Sequence, residues 1–394
     1  MLLLWLALAS APAADDWPQW RGPQRNGVSA EGGWLDRWPE GGPGVLWKAE
    51  VGTGFSSFAV AGGRVYTMGH ADERDSIVCL DAETGRVAWT HAYAAEIGDK
   101  FFEGGPTSTP AVDGGRVYAV ARAGEVFCLD AATGKVVWST NFAEAAGVPA
   151  PGWGFGGSPV VHGSLLLLNA GEAGVALEKD TGRLLWKSAA KEAGYSTPLV
   201  ALGKQLLLGS GRSYLAVDPA SGKELWRIRW VTEYGCNAAD PVVDGARAFV
   251  SSGYGRGGAL LELGDGEPKT LWQNKALRTQ MNPAVLVGGH LYGIDGDAEK
   301  PCALKCLEFA TGAEKWSRPL SGPGALVAAD GKLVVLDARG ELLVGPASPA
   351  GFEPTARAQV LSGKCWTAPV LANGRIFCRN AEGRVVCLDV RKTQ

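Results

Sequence analysis

The side chains that could do chemistry in this chain are thinly spread. His70, His91, His162 and His290 nowhere fall at the spacing of a metal site. No serine sits in a Gly-x-Ser-x-Gly elbow. The run GYGRGG from Gly253 fits Gly-x-Gly-x-x-Gly, but a strand pattern follows it where a phosphate-binding loop needs a helix, so it reads as a hairpin. Asp295, Asp297 and Glu299 could face a calcium ion from one hairpin, yet no further ligand can be assigned and solvated acids are the commoner use of such a loop. No catalytic and no metal-ligating residue is therefore expected. Among the eight cysteines no two are adjacent in sequence. Cys79, Cys128, Cys306 and Cys387 recur at one repeat position and read as small buried filler. In FCRNAEGRVVCLD a two-residue turn at Glu382-Gly383 would set Cys378 opposite Cys387, where a cross-strand bridge is conceivable and free buried thiols are the commoner outcome.

The elements that carry these residues are repeats. VFCLDAATGKVVW ends at Trp138, and versions of it end at Trp89, Trp186, Trp226, Trp272 and Trp316. The Trp-to-Trp spacings of 49, 48, 40, 46 and 44 residues describe stacked units and exclude one doubly wound domain. Each unit reads as strand, tight turn, strand: Asp130 and Thr133 can accept turn N–H groups, and Gly134 supplies a positive φ. Before each copy comes another strand, Gly-containing turn and strand, as in STPAVDGGRVYAV from Ser108. There are eight first halves, but the second half from Gly340 is degraded and the one from Gly383 stops at the chain end. GVLWKAEV, Gly44 to Val51, carries Trp47 with no hairpin before it and can supply the missing outermost strand. The expectation is an all-β, eight-bladed propeller of four-stranded antiparallel blades, closed by that N-terminal strand. Trp47, Trp89, Trp138, Trp186, Trp226, Trp272 and Trp316 are then structural, each packing into the adjacent blade.

This ring sorts the loops onto two faces. Blade connectors and the hairpins between second and third strands share one face, and the Gly-Gly and Thr-Gly turns share the other. The longest connectors, Thr90 to Thr107 and Ser139 to Gly157, exceed what closure needs and are the better functional candidates, with Phe101, Phe102, Glu103, Trp153 and Phe155 on them. Residues just before the first strands should rim the central channel: Glu103, Trp153, Tyr195, Asn237, Asp240, Arg278, Gln280, Asn282 and Trp366. Such a set could hold a small polar ligand, or its Asn and Asp could simply cap strand ends and bind channel water.

The 394 residues, 46% hydrophobic and 20% charged, can bury a large core, and a formal charge of -3 gives no reason to expect a nucleic-acid partner. Leu2 to Ala9 is apolar and Ala11-Pro12-Ala13 offers small residues for cleavage, so residues 1–14 are expected to be an export signal, too short to span a bilayer. No cysteine lies in Leu8 to Asp16 to carry a lipid. A periplasmic or secreted monomer, without a transmembrane span in the mature chain, follows. Residues 15–43, with Trp17, Trp20, Trp34 and Trp38 among Gly and Pro, read as an irregular strap that must bury its rings to stay ordered, and residues 44–394 as the propeller.

The Asp-x-x-Thr-Gly-Lys-x-x-Trp repeat, eightfold, resembles the pyrroloquinoline-quinone (PQQ)-like propeller repeat, and the resemblance covers Val45 to the C-terminus. The WPQWRGP opening with GPGVLWKAEVGTGFSS looks like the start of exported proteins of this kind. Two branches are implied. One is the quinoprotein alcohol dehydrogenases, with PQQ between a Trp and a disulfide of adjacent cysteines, Ca²⁺ held by Glu, Asn and Asp, and an Asp base. The other is non-catalytic and similar to the propeller subunit of the outer-membrane β-barrel assembly machinery. With no adjacent cysteines and no large insertions, no catalytic residue carries over. The expectation is a scaffold that binds an envelope protein or polymer and holds no cofactor, with a PQQ- and Ca²⁺-dependent dehydrogenase as the alternative.

Overall fold

The computed structural model describes residues 16–39, 41–100, 102–191, 193–298 and 301–392. The expected export signal, Phe101 and Glu299 lie outside the described residues. Eight sheets follow one another along the chain. Blade 1 comprises Ala59–Ala61, Arg64–Ala71, Arg74–Asp81 and Val87–Ala94. Blades 2 to 6 begin at Ala111–Asp113, Val160–His162, Leu199–Ala201, Val242–Asp244 and Val285–Val287. Blade 7 runs from Ala325–Ala329 to Ala356–Gln359, and blade 8 from Val370–Ala372 to Arg384–Asp389. The last blade lacks an outer strand of its own; Gly44–Glu50 pairs antiparallel with Arg384–Asp389, Trp47 opposite Cys387, and closes the ring.

Middle strands are covered on both sides by neighbouring blades, which explains their unbroken apolar runs: Leu166, Leu167 and Leu168 are buried, as are Leu333, Val334, Val335 and Leu336. The outer strands hold the blades together. Register shifts just before Trp47, Trp89, Trp138 and Trp316 turn these rings toward the next blade. The Trp89 ring lies where a Cβ on Gly134 would come within 2.6 Å of it, and its Nε1 donates to Ala131 O at 3.0 Å. Gly134 is left-handed, φ 70°, while Asp130 Oδ1 accepts from Thr133 N and Oγ1 at 3.0 and 2.8 Å. The turn motif is thus a socket for the preceding blade's tryptophan. Trp47 on Gly85, Trp138 on Gly182, Trp186 on Gly222 and Trp272 on Gly312 repeat it. Blade 5 lacks the Thr-Gly turn, and there Trp226 donates to Gln205 Oε1 at 3.0 Å while Gln205 Nε2 donates to Gly264 O at 2.6 Å, relaying the bond across the junction.

Three features depart from the sequence reading. Val28–Ser29 of the strap adds a parallel fifth strand to blade 7. A short helix, Phe142–Ala146, capped by the Asn141 side chain, opens the connector between blades 2 and 3. The hairpin of blade 8 has a three-residue loop, Ala381 to Gly383, with Gly383 at φ 90°; this places Cys387 opposite Phe377 and Cys378 opposite Val386, so the two thiols point to opposite sheet faces and form no bridge. All eight cysteines are free and buried. Among the described residues no helix is long and apolar enough to cross a membrane.

Candidate binding site at the loop-rich face

The axis of the ring is filled by the chain itself. The strap enters from the turn face, where Asp16 Oδ2 accepts from Gly62 N at 3.2 Å, and Trp17 exchanges backbone bonds with Val60 at 2.8 and 2.7 Å. It reaches deepest at Trp20 and Arg21. Trp20 Nε1 donates to Asp240 Oδ2 at 2.6 Å, and Arg21 Nη2 to Ala284 O at 2.9 Å. It then returns, with Arg25 Nη2 on Val161 O at 2.9 Å and Gly27 O accepting from Ala328 N at 2.9 Å. Trp17 and Trp34 are buried, as an ordered irregular strap requires. Burial pushes the Asp240 carboxyl up to about 6, against the opposing pull of Arg21, and brings Arg21 down to about 10. Beside these residues a cavity of about 10 Å³ remains, room for at most one water.

Around this plug runs a girdle of strand-end bonds. Ser57 N donates to Thr109 Oγ1 at 3.1 Å, Thr109 N to Ser158 Oγ at 2.9 Å, Ser158 N to Thr197 Oγ1 at 3.0 Å and Thr197 N to Asp240 Oδ1 at 2.7 Å. In blades 2 to 5 the polar residue before the first-strand proline caps the neighbouring strand end. Asn237, fully buried, is spent in the same way: Nδ2 donates to Ser210 O and Trp230 O at 2.7 and 3.0 Å, and Oδ1 accepts from Ser252 Oγ at 2.8 Å. Asn282 Nδ2 ties Gly324 O at 3.1 Å to Trp366 O at 2.8 Å. Gln280 donates to Tyr254 Oη at 2.8 Å and accepts from Ala298 N at 2.9 Å. Arg278 forms a two-pronged pair with Asp295 at 2.8 and 2.6 Å, and Lys305 reaches the same carboxylate at 3.3 Å.

The loop face carries the exposed chemistry. Its two longest connectors are stapled by Arg122, a residue the sequence reading passed over: Nη1 donates to Ile97 O at 2.6 Å and Nη2 to Trp153 O at 3.0 Å. Gly98 and Gly154 make room for it, since a Cβ at either would strike the Arg122 side chain. The signal lay in those two glycines, but only spatial proximity links them to a hairpin arginine. Phe155 is buried against Phe142 of the short helix, with ring centroids 4.7 Å apart, and belongs to the core. Trp153 stays half-buried and leads an aromatic row, edge-on to Tyr195 at 5.5 Å and Tyr234 at 6.3 Å, with Tyr254 5.1 Å beyond Tyr234. Tyr234 is 47% exposed. A second group gathers where blade 8 meets blade 1: Phe55 lies 5.7 Å from Phe102 and 6.0 Å from Trp366. Lys364 Nζ lies 4.2 Å from the Trp366 ring centre and 2.5 Å from Glu103 Oε1. Next to this group is an open hollow of about 390 Å³ lined by Thr53, Ile97, Asp99, Phe102, Glu103 and Glu382. Among the described residues no three His, Cys, Asp or Glu side chains gather as metal ligands do.

Eight blades, five of their junctions locked by a tryptophan seated on a turn glycine, with a loop face of aromatic and charged side chains, define a PQQ-like repeat propeller. Residues 37–141 and 98–317 match the family described as outer membrane protein assembly factor BamB, and the chain belongs to that family. Among solved structures, BamB from Moraxella catarrhalis superposes with a TM-score of 0.66 at 17% identity, over 88% of this chain and 99% of that one. Quinohemoprotein alcohol dehydrogenase from Comamonas testosteroni superposes with a TM-score of 0.72 at 16% identity, over 98% and 82%. A europium-containing methanol dehydrogenase gives 0.69 at 13% identity, over 93% and 90%. At such identities the likeness shows the fold alone. No curated protein matches the chain.

Proposed function

We propose that this chain is an exported, non-catalytic scaffold of the cell envelope that captures a protein or polymer on its loop-rich face. The observation that carries the reading is the contrast between the two regions where a propeller can bind. The axis is packed with Trp17, Trp20 and Arg21, whereas the loop face presents half-buried aromatics on connectors held in place by Arg122. Half-buried aromatics with polar tips are the groups that anchor partners. Membership of the BamB family, whose name denotes outer-membrane protein assembly, supports the envelope setting. The residues present do not fit a quinone on the axis: Trp17, Trp20 and Arg21 fill it, the cavity beside them holds only about 10 Å³, and the eight cysteines are buried, free and nowhere adjacent in sequence.

The test is capture from envelope extract by immobilised protein. Trp153→Ala and Phe102→Ala should each abolish capture while lowering the melting temperature by only a few degrees, because both side chains are half-buried on connectors outside the blades. Capture that survives both changes would show that another face binds. Absorbance of a bound quinone together with dye reduction by an alcohol, after addition of PQQ and Ca²⁺, would replace the scaffold reading with a dehydrogenase.

A further inference from the structure

The hollow between blades 8 and 1 is concave, walled by an aromatic ring and bordered by carboxylates, and the chain's own cations already sit at its rim. Phe102 forms the apolar wall, and Asp99, Glu103 and Glu382 supply the negative charge. Glu382 is neutralised by Arg384 at 3.1 Å. Asp99 has no hydrogen-bonding or ion-pair partner among the described residues. Glu103 gives Oε1 to Lys364, while its enclosed Oε2 accepts no hydrogen bond among the described residues. Because Glu103 Oε2 is enclosed, the hollow is left with one open carboxylate, Asp99, and one carboxylate, Glu103, whose other oxygen is held by Lys364, beside an aromatic face, and that combination favours a cation that can take the place of Lys364.

We propose that this hollow receives an arginine side chain of a protein partner, stacked on Phe102 and paired with Asp99 and Glu103, and that Lys364 is the internal placeholder it displaces. The inference rests on the scaffold reading and names the chemistry of the partner. Lys364 already makes one contact the incoming group needs, Glu103 Oε1 at 2.5 Å, and shows the same pairing of carboxylate and ring on the adjacent Trp366, whose centre lies 4.2 Å from its Nζ. Arg122, whose guanidinium carbon lies 5.5 Å from the Phe102 ring centre, shows that this ring accepts a guanidinium neighbour. A planar fork suits two carboxylates better than the point charge of an ammonium, and it is less strongly hydrated. The volume of about 390 Å³ is ample for one long side chain with its backbone at the rim. Lys364 is partly exposed on a flexible stem, so it can yield its place without disturbing the blade.

The probe is an acetylated, amidated tetra-arginine peptide, titrated into the full chain by calorimetry at low and at moderate salt, with tetra-citrulline as the uncharged isostere. Tetra-arginine should bind and tetra-citrulline should not. Glu103→Gln and Asp99→Asn should each weaken binding by roughly fivefold or more, and Lys364→Met should tighten it, because the competitor is gone. Glu353→Gln, on the turn face and 97% exposed, should change nothing. Unchanged affinity in Glu103→Gln, or a loss in Glu353→Gln equal to that in Glu103→Gln, would overturn the proposal. Weaker binding in Lys364→Met would also overturn it, and spermine binding as tightly as tetra-arginine would reassign the hollow to a free polyamine. Loss of capture in Trp153→Ala with unaltered tetra-arginine binding in Glu103→Gln would leave the loop face standing and remove only the hollow.

Discussion

At the scale of single residues, two positions show how far the pattern of types predicts energetics. Gly134 and Gly115 both have positive φ, 70° and 77°, but a Cβ at Gly134 would meet the Trp89 ring while one at Gly115 meets nothing within 4 Å. Gly134→Ala should therefore cost about 1–3 kcal/mol more than Gly115→Ala in denaturant unfolding, the excess measuring the socket alone. Asp240 gives a pH signature. Its folded carboxyl titrates at about 6, above its ordinary range, so the folded chain holds that proton more tightly than the unfolded one. The stability this group contributes is complete at acid pH and is lost as pH rises through about 6. Melting temperatures of the native chain and Asp240→Asn, compared from about pH 4.5 to pH 7, should show the native chain losing ground to the variant as pH rises, on top of a constant cost in the variant from setting an amide NH₂ against Trp20 Nε1–H. A difference that stays flat over the range would mean that Asp240 does not titrate there. The socket was legible in the sequence because it recurs. The Gln205 relay was not, because a polar residue at the head of QLLLG looks like any strand end until Trp226 is seen to reach it.

At the scale of elements, the outer strand Gly44–Glu50 does two jobs: it supplies the last blade's missing ladder, and its tryptophan docks on blade 1, with Trp47 Nε1 donating to Ala82 O at 2.9 Å. Trp47→Ala should lower stability by about 3–5 kcal/mol, the range for a large buried aromatic, measured by denaturant unfolding. Partially exposed outer tryptophans such as Trp138 should cost less on the same change. The sequence announced this strand because a repeat tryptophan stood without its hairpin. The strap is a different case: four tryptophans in a Gly/Pro-rich run implied burial, but nothing in their spacing said that Trp20 would reach the far end of the axis. Its path is set by single bonds to successive inner strands, and such pairings have no period to read. For the same reason the rim residues separated unpredictably. Asn237 and Phe155 turned inward under Trp230 and Phe142, whereas Trp153 and Trp366 remained half-buried.

At the scale of the molecule, the ring divides labour between its ends. One end consists mostly of short turns, five of them fixed by a tryptophan socket, so those turns have little freedom to vary. The other consists of connectors of unequal length, and the aromatic row from Tyr195 to Tyr254 crosses from the third blade's connector to the hairpin of the fifth. A partner lying along that row would touch several blades at once, so its affinity should depend on the ring being intact and not on any one blade. Excised blade pairs should fail to capture what the full chain captures in the same pull-down. Pairing of Gly44–Glu50 with Arg384–Asp389 also imposes an order on biosynthesis. Gly44–Glu50 cannot reach its station until Arg384–Asp389 is available, so both edges stay open until all the intervening blades have been made or translocated. During that interval two nascent copies could exchange these segments and yield an interlocked dimer, a hazard that a chaperone at the exit site would suppress.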